Sequence, residues 1–318
     1  MTILDAIKVW LIGAGEMARA YGKVLLALGL DFIIIGRGQA SAKKFEEELG
    51  KPVISDGLTT FLKTSPPLPS AVIVAVQINL LKDIALELIQ YGVKQILLEK
   101  PGGLNSNEIK ELAQTSKPND VNLFIAYNRR FYASVLKLKE LIKEEKIISF
   151  NFEFTEWSHL IKDQQIESSI KENWFLANSS HVVDLAFYLG GKPQKINSYF
   201  SGGVVWHPRS SVFAGSGLSE KKAIFSYQAN WESAGRWGIE ILTSKHKFIL
   251  RPLEELQVQD LGSFKIEKVE IDDSLDRRFK PGLYLQVDSF FLGDKSQLCT
   301  ISEQVKNVMI YNQIAGYD

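Results

Sequence analysis

The strongest constraint on the fold lies where an apolar run breaks into two glycines. Ile7–Ile12 reads as a buried strand, Gly13-Ala14-Gly15-Glu16-Met17-Ala18 follows, and a helical period runs over Glu16–Leu28. Small residues are needed at three points of such a turn. Gly13 permits the tight bend, Gly15 opens the backbone to close approach, and Ala18 lets the helix pack on the strand. A helix begun this way offers free N–H groups and a partial positive charge to a phosphate. Gly13, Ala14, Gly15, Glu16 and Met17 are therefore read as a dinucleotide-binding turn.

The following residues repeat that alternation. Strands are expected at Phe32–Ile35, Ala71–Val76, Gln95–Leu98 and Val121–Ala126, and helices at Ser41–Leu49, Asn79–Tyr91 and Ser106–Ser116. Short, fully apolar strands between helices indicate a parallel sheet covered on both faces. Val53–Ser70, with Pro66, Pro67 and Pro69, reads as a surface loop. After residue 127 the style changes. A helix is expected over Tyr132–Glu144, an alternating strand over Ile147–Glu156 and a helix over Ser180–Leu189. Aromatic-rich strands then run to Leu256, and the tail is helical over Gln286–Phe291 and Thr300–Ile314. The fold class is α/β: an N-terminal Rossmann, doubly wound parallel sheet over 1–127, and a C-terminal α+β domain over 128–318 with a large, mostly antiparallel open sheet.

Composition narrows the partners. Lys plus Arg and Asp plus Glu both number 37 among 318 residues, so the net charge of zero gives no electrostatic reason to expect nucleic acid or an anionic membrane. One cysteine, Cys299, cannot form an internal disulfide and fits a reducing compartment. The first residues lack the pattern of a signal peptide, and apolar runs such as 71–76 are too short to cross a bilayer, so a cytoplasmic location is expected. One Cys and four His without ligand spacing argue against a metal site.

The end of the second strand selects the cofactor. An acid there would bond the ribose hydroxyls of NAD. The chain instead reads Gly36-Arg37-Gly38-Gln39-Ala40-Ser41, and Asp31 lies at the wrong end. Arg37 can pair with a 2′-phosphate and Ser41 can donate to it, which favours NADP over NAD. A second chemical turn, Glu99-Lys100-Pro101-Gly102-Gly103, follows the strand Gln95–Leu98 at the carboxyl edge where open α/β sheets bind ligands. Pro101 fixes the backbone, and the Lys100 ammonium can stabilise a developing alkoxide during hydride transfer.

The GxGxxA turn, the Glu-Lys-Pro turn and the strand-rich second half together resemble the glucose–fructose oxidoreductase, inositol dehydrogenase and MocA family. Asn128-Arg129-Arg130-Phe131 looks like its Arg-Phe crossover segment, and His181-Val182-Val183-Asp184 like its His-x-x-Asp segment. The resemblance implies a nicotinamide-dependent dehydrogenase or reductase acting on a hydroxyl or keto group of a sugar-like substrate. It implies catalytic roles for Lys100 and for His181, on the other side of the same cleft, and a homodimer or homotetramer. Asp184, three residues from His181, is read as the partner that orients it, and Asn178 or Ser179 as the cap of their helix. Gln77, Asn79, Glu99 and Lys100 are read as cofactor-binding, and Arg129, Arg130, Trp174, Asn178 and His181 as substrate-binding. The tryptophan-bearing strands within 223–250 are the expected assembly surface.

The chain departs from the family in two places. Ala177 stands four residues before His181, where several sugar dehydrogenases have Asp, and Gln77-Ile78-Asn79 replaces a Thr-Pro-Asn segment. Two rival readings remain. One is a non-catalytic nucleotide-binding sensor of the same fold. The other, a short-chain dehydrogenase, would need Tyr188 and Lys192 on one helix, but Gly190-Gly191 lies between them.

Overall fold

The structure is a computed structural model and describes residues 8–317. Ile7, expected to open the first strand, and the leader reading of the residues before it lie outside the described residues. The chain divides into two compact units. One holds the residues through Tyr127 together with Arg278–Lys306, and the other holds Asn128–Arg277 and the residues from Asn307. The expected continuous second domain therefore misses a return: residues 278–306 belong with the N-terminal unit.

The first unit is built on β1 (Lys8–Ile12), β2 (Asp31–Ile35), β3 (Val53–Ile54), β4 (Ala71–Val74), β5 (Gln95–Glu99) and β6 (Asn122–Ala126). Between and after them come helices α1 (Glu16–Ala27), α2 (Gln39–Leu49), α3 (Leu58–Leu62), α4 (Leu81–Tyr91) and α5 (Ser106–Ser116). The strands are parallel in the order β6-β5-β4-β1-β2-β3. Val9–Ile12, Val72–Val74 and Ile96–Leu98 are all buried, as both-face coverage requires. The stretch read as a loop after Val53 holds β3 and α3; residues 55–57 and 63–70 lack helix or strand. Its two-residue strand carries too little pattern to separate from a turn. The return segment adds α11 (Leu283–Phe291) and a short strand, Cys299–Thr300, antiparallel to β6. Gln286 of α11 accepts from the buried Tyr21 hydroxyl at 3.4 Å.

The second unit contains α6 (Ala133–Leu141), β7 (Ser149–Glu153), α7 (Ser158–Ile161), α8 (Ser168–Glu172) and α9 (Ser180–Gly190). Strands β8 (Pro193–Ser201), β9 (Val212–Ser219), β10 (Ile224–Asn230), β11 (Gly238–Leu242), β12 (His246–Leu250), β13 (Gln257–Asp260) and β14 (Glu267–Lys268) follow. The sheet runs β14-β13-β12-β11-β7-β10-β9-β8, antiparallel except for the β7–β10 pair. The period-2 pattern of β7 turns Phe150 and Phe152 inward. Phe187 of α9 meets their rings edge-on at 6.2 and 5.4 Å. Gly190 makes that approach possible, since a Cβ there would lie 2.3 Å from the Phe150 ring. Each phenylalanine buried this way contributes about 1.5–3 kcal/mol.

In the strands expected as the assembly surface, the tryptophans serve the chain's own core: Trp231 and Trp237 are 1% and 5% exposed. Trp231 stacks on Trp206 at 5.6 Å and meets Phe213 at 4.9 Å. Aromatic content alone cannot say which face of a sheet a ring serves. The exposed positions of β10 are Ile224, Ser226, Gln228 and Asn230.

A buried ion pair fixes α9. Arg130 donates from Nε to Asp184 Oδ2 at 2.8 Å and from Nη2 to Oδ1 at 2.6 Å, and the Tyr311 hydroxyl reaches Oδ1 at 3.3 Å. Both residues are almost fully buried. Removing one partner strands a buried charge and costs about 3–5 kcal/mol. Asp184→Ala should therefore lower stability by about that amount in urea unfolding. The double variant Arg130→Met, Asp184→Leu should recover most of the loss. Wild-type stability in Asp184→Ala would mean the pair does not hold the helix.

Candidate functional site

Two groups of residues carry chemistry, one in each unit. In the first, the carboxyl ends of β1, β4 and β5 lie side by side, with Ile12 opposite Val74 and Val74 opposite Leu98. The next residues on those strands open the glycine turn, the Ala75–Asn79 segment and the Glu99-Lys100 turn. Lys100 thus lies two strand spacings, about 10 Å, from the glycine turn along one sheet edge.

The glycine turn fits a diphosphate. Gly13 has φ of 116°, and a Cβ there would lie 2.3 Å from the Ala75 carbonyl oxygen, so only glycine fits. Its N–H donates to Ile35 O at 2.8 Å. Gly15 differs: a Cβ would meet nothing within 4 Å, leaving open space in front of the turn. Gly15 is the N-cap of α1, and no side chain bonds the first N–H groups of the helix. Those N–H groups can hold a phosphate. Ala14 is buried, while Glu16 is exposed and Met17 partly so.

Arg37 is exposed on the loop after β2, and the described residues from Gly36 to Ser41 include no acid. The Ser41 hydroxyl donates to Gly38 O at 2.9 Å within that loop. Gln77 is exposed and Asn79 half-buried in the helical turn Ile78–Leu80 that leads into α4. Glu99 is committed inward, accepting from the Tyr21 hydroxyl at 2.7 Å. Burial raises the Glu99 carboxyl, and Tyr21, also buried, is raised well above the usual phenol range. The Lys100–Pro101 peptide is cis, and Gln304 Nε2 donates to Pro101 O at 2.9 Å and to the Tyr127 hydroxyl oxygen at 3.0 Å.

The second group centres on Trp237. The His181 ring lies 6.1 Å from the Trp237 ring. The guanidinium carbons of Arg129 and Arg236 lie 4.8 and 4.4 Å from it. Arg236 also lies over Trp157 at 4.6 Å, and the Trp157 indole is pinned by donation to Gly235 O at 3.1 Å. Below them is Glu156, 1% exposed. It accepts from Asn178 Nδ2 at 3.1 and 3.0 Å, from Ser179 Oγ at 2.7 Å and from Arg236 Nη1 at 3.5 Å. The buried Trp174 indole N–H is turned toward Glu156 without reaching hydrogen-bonding geometry.

Several site readings change here. Arg130, read as substrate-binding, is buried and spent on Asp184. Asp184, read as the orienting partner of His181, is the counter-ion of Arg130. Asn178 and Ser179 do not cap α9; both donate to Glu156. A π-helical turn, Phe175–Ser179, runs directly into α9, so His181 does not sit at a free helix N-terminus. The glutamate itself was missed. At the end of an alternating strand, its sequence context matches that of any solvent-facing acid, and its donors arrive from more than twenty residues away. His207 is a core histidine, bonded to Ser210 O and to the Tyr317 hydroxyl at 2.7 Å each and lowered by burial.

Known proteins share the fold. Residues 7–127 match a family model, GFO_IDH_MocA, described as an oxidoreductase family with an NAD-binding Rossmann fold. An uncharacterized oxidoreductase of Streptococcus pneumoniae serotype 4 (strain ATCC BAA-334 / TIGR4) is 28% identical over 215 residues, which cover 62% of this chain and 55% of that protein. The matched stretch thus spans little more than half of its relative. Levoglucosan dehydrogenase, solved with NADH, superposes with a TM-score of 0.78 at 18% identity, covering 98% of this chain and 96% of that one. UDP-N-acetylglucosamine 3-dehydrogenase from Acidithiobacillus ferrooxidans gives 0.74 at 14% identity, covering 98% and 97%. The WlbA dehydrogenase from Bordetella pertussis, solved with NADH and UDP-GlcNAcA, gives 0.72 at 16%, covering 97% and 95%. At such identities these likenesses are of fold.

Burial raises the Glu156 carboxyl from its ordinary 4.5 to about 7, against the lowering effects of Ser179, Arg236 and Asn178. A raised acid favours the folded state below the unfolded value and loses that stabilisation as pH climbs to the folded one. Folding stability should therefore fall by about 3 kcal/mol at most between pH 4.5 and pH 7 and change no further from this group. Glu156→Gln should remove that slope in urea titrations at several pH values. An unchanged slope would rule out Glu156 as its source.

Proposed function

We propose, from the match of residues 7–127 to the GFO_IDH_MocA oxidoreductase family model, that the chain belongs to that family and is a nicotinamide-dependent dehydrogenase or reductase acting on a hydroxyl/keto pair of a sugar-like small molecule. The supporting observation is the uncapped glycine turn into α1, with Lys100 at the same sheet edge. The structural likeness to levoglucosan dehydrogenase and to two dehydrogenases named for or solved with UDP-sugars supports the substrate class.

The bound nicotinamide gives or takes a hydride at one carbon. The chain must then manage the proton and the charge on the attached oxygen. Lys100 is assigned the fixed positive charge that stabilises that oxygen as it becomes an alkoxide. His181 is assigned the proton carrier. Asp184 acts one step removed, by holding the helix that bears His181. Arg37 is assigned the 2′-phosphate of NADP, in keeping with the lack of an acid from Gly36 to Ser41.

Lys100→Ala and His181→Ala should each lower kcat about a hundred-fold or more while NADPH affinity changes little. Single-turnover oxidation of bound NADPH by candidate ketosugars measures this, and near-wild-type turnover in Lys100→Ala would overturn the assignment.

The cofactor choice has its own test. Arg37→Ala should weaken NADPH about ten-fold or more and leave NADH nearly unchanged, read by fluorescence titration. Equal losses for both, or a wild-type preference for NADH, would remove Arg37 from the role.

A further inference from the structure

The surroundings of Trp237 are rich in donors and poor in acceptors. Two buried N–H groups find no acceptor among the described residues: Arg129 Nε and Trp237 Nε1. The indole belongs to a side chain 5% exposed. A buried donor without an acceptor is costly, and native proteins keep few of them without a functional reason. Two in contact, with the Arg236 guanidinium over the same ring, call for an oxygen-rich partner.

The acids nearby do not fill that role. Glu156 already accepts from Asn178 and Ser179 and meets Arg236 only at 3.5 Å. Glu254 is exposed and takes the Tyr132 hydroxyl. Arg129 is left with burial as the strongest influence on its guanidinium, depressing its protonated form. Arg236 keeps 42% of its side chain exposed, so a ligand arriving from solvent can reach it. Stacking between Trp157 and Trp237 holds its planar fork in place, and an orientated guanidinium favours a carboxylate or phosphate over a neutral hydroxyl.

We propose that Arg236 and Arg129, set on Trp237, form a subsite for an anionic group on the substrate, which makes this a site for an acidic or phosphorylated sugar. The inference rests on the dehydrogenase reading only for what happens to the sugar; the binding preference stands apart from it. His181 lies against the same indole, so the anion binds in the neighbourhood of that imidazole.

Binding is tested directly by tryptophan fluorescence of the intact chain, with and without NADPH. The probes are D-glucose, D-glucuronate and D-glucose 6-phosphate. At least one charged sugar should bind about ten-fold or more tightly than glucose. Preference for glucuronate assigns a carboxylate, and preference for the 6-phosphate a phosphate. Arg236→Gln, half-exposed and so tolerant of change, should abolish the preference by weakening the charged sugar about ten-fold or more; Arg129→Gln should do the same. Equal binding of all three sugars, failure of all three to bind, or a preference that survives Arg236→Gln would overturn the proposal. Cofactor oxidation is followed separately in the same samples. An anion preference without oxidation would sink the dehydrogenase reading and keep the subsite. Oxidation that ignores both the charge and the variant would do the reverse.

Discussion

The second unit depends on the ion pair between Arg130 and Asp184. Both charges are out of water, so the pair is tolerable only because its geometry is bidentate and Tyr311 meets a remaining lone pair. Apolar packing alone would not fix α9. Nearly every residue of that helix is buried, and a uniformly apolar helix can rotate about its axis at little cost in area. The directional bonds to Asp184 remove that freedom. His181 is three residues away on the same face, so orienting Asp184 also orients the imidazole. The turn before α9 then presents Asn178 and Ser179 to Glu156. A contact without chemistry of its own thus sets the direction of the residues that have some.

The two units were unequally legible in the sequence. The parallel sheet announced itself because its strands are buried on both faces and read as unbroken apolar runs: Val9–Ile12, Val72–Val74 and Ile96–Leu98. The glycine turn could be placed from residue types alone, since only glycine survives where Gly13 meets the Ala75 carbonyl. The return of residues 278–306 to the first unit left no local mark. α11 has the pattern of any amphipathic helix, and its hydrogen bond from Tyr21 spans 265 residues. Aromatic strands in the second half were recognisable as strands. Their order was not, because β7 pairs with β10 and β11, both far along the chain.

Site residues divided along the same line. Lys100, Gly13 and Gly15 are local features and lie at the sheet edge where their sequence context puts them. Arg130, Asp184 and Asn178 are polar residues that the sequence marks out, but their partners in the structure differ from those expected. Side-chain pairing across 54 residues, as between Arg130 and Asp184, is decided by tertiary packing. Glu156 went unseen for the same reason: an acid looks buried only once its neighbours are known.

Ala177 brings these observations together. The family resemblance implies an acid four residues before the histidine, where this chain has Ala177. The neighbouring Asn178 and Ser179 instead bond a carboxyl supplied by the segment that follows β7. Glu156 is enclosed and held by burial at about 7, so it can carry a proton near neutral pH. A carboxyl is therefore present beside the turn that holds Ala177, on another element. When it is neutral, Arg236 and Arg129 are left with surplus positive charge around Trp237.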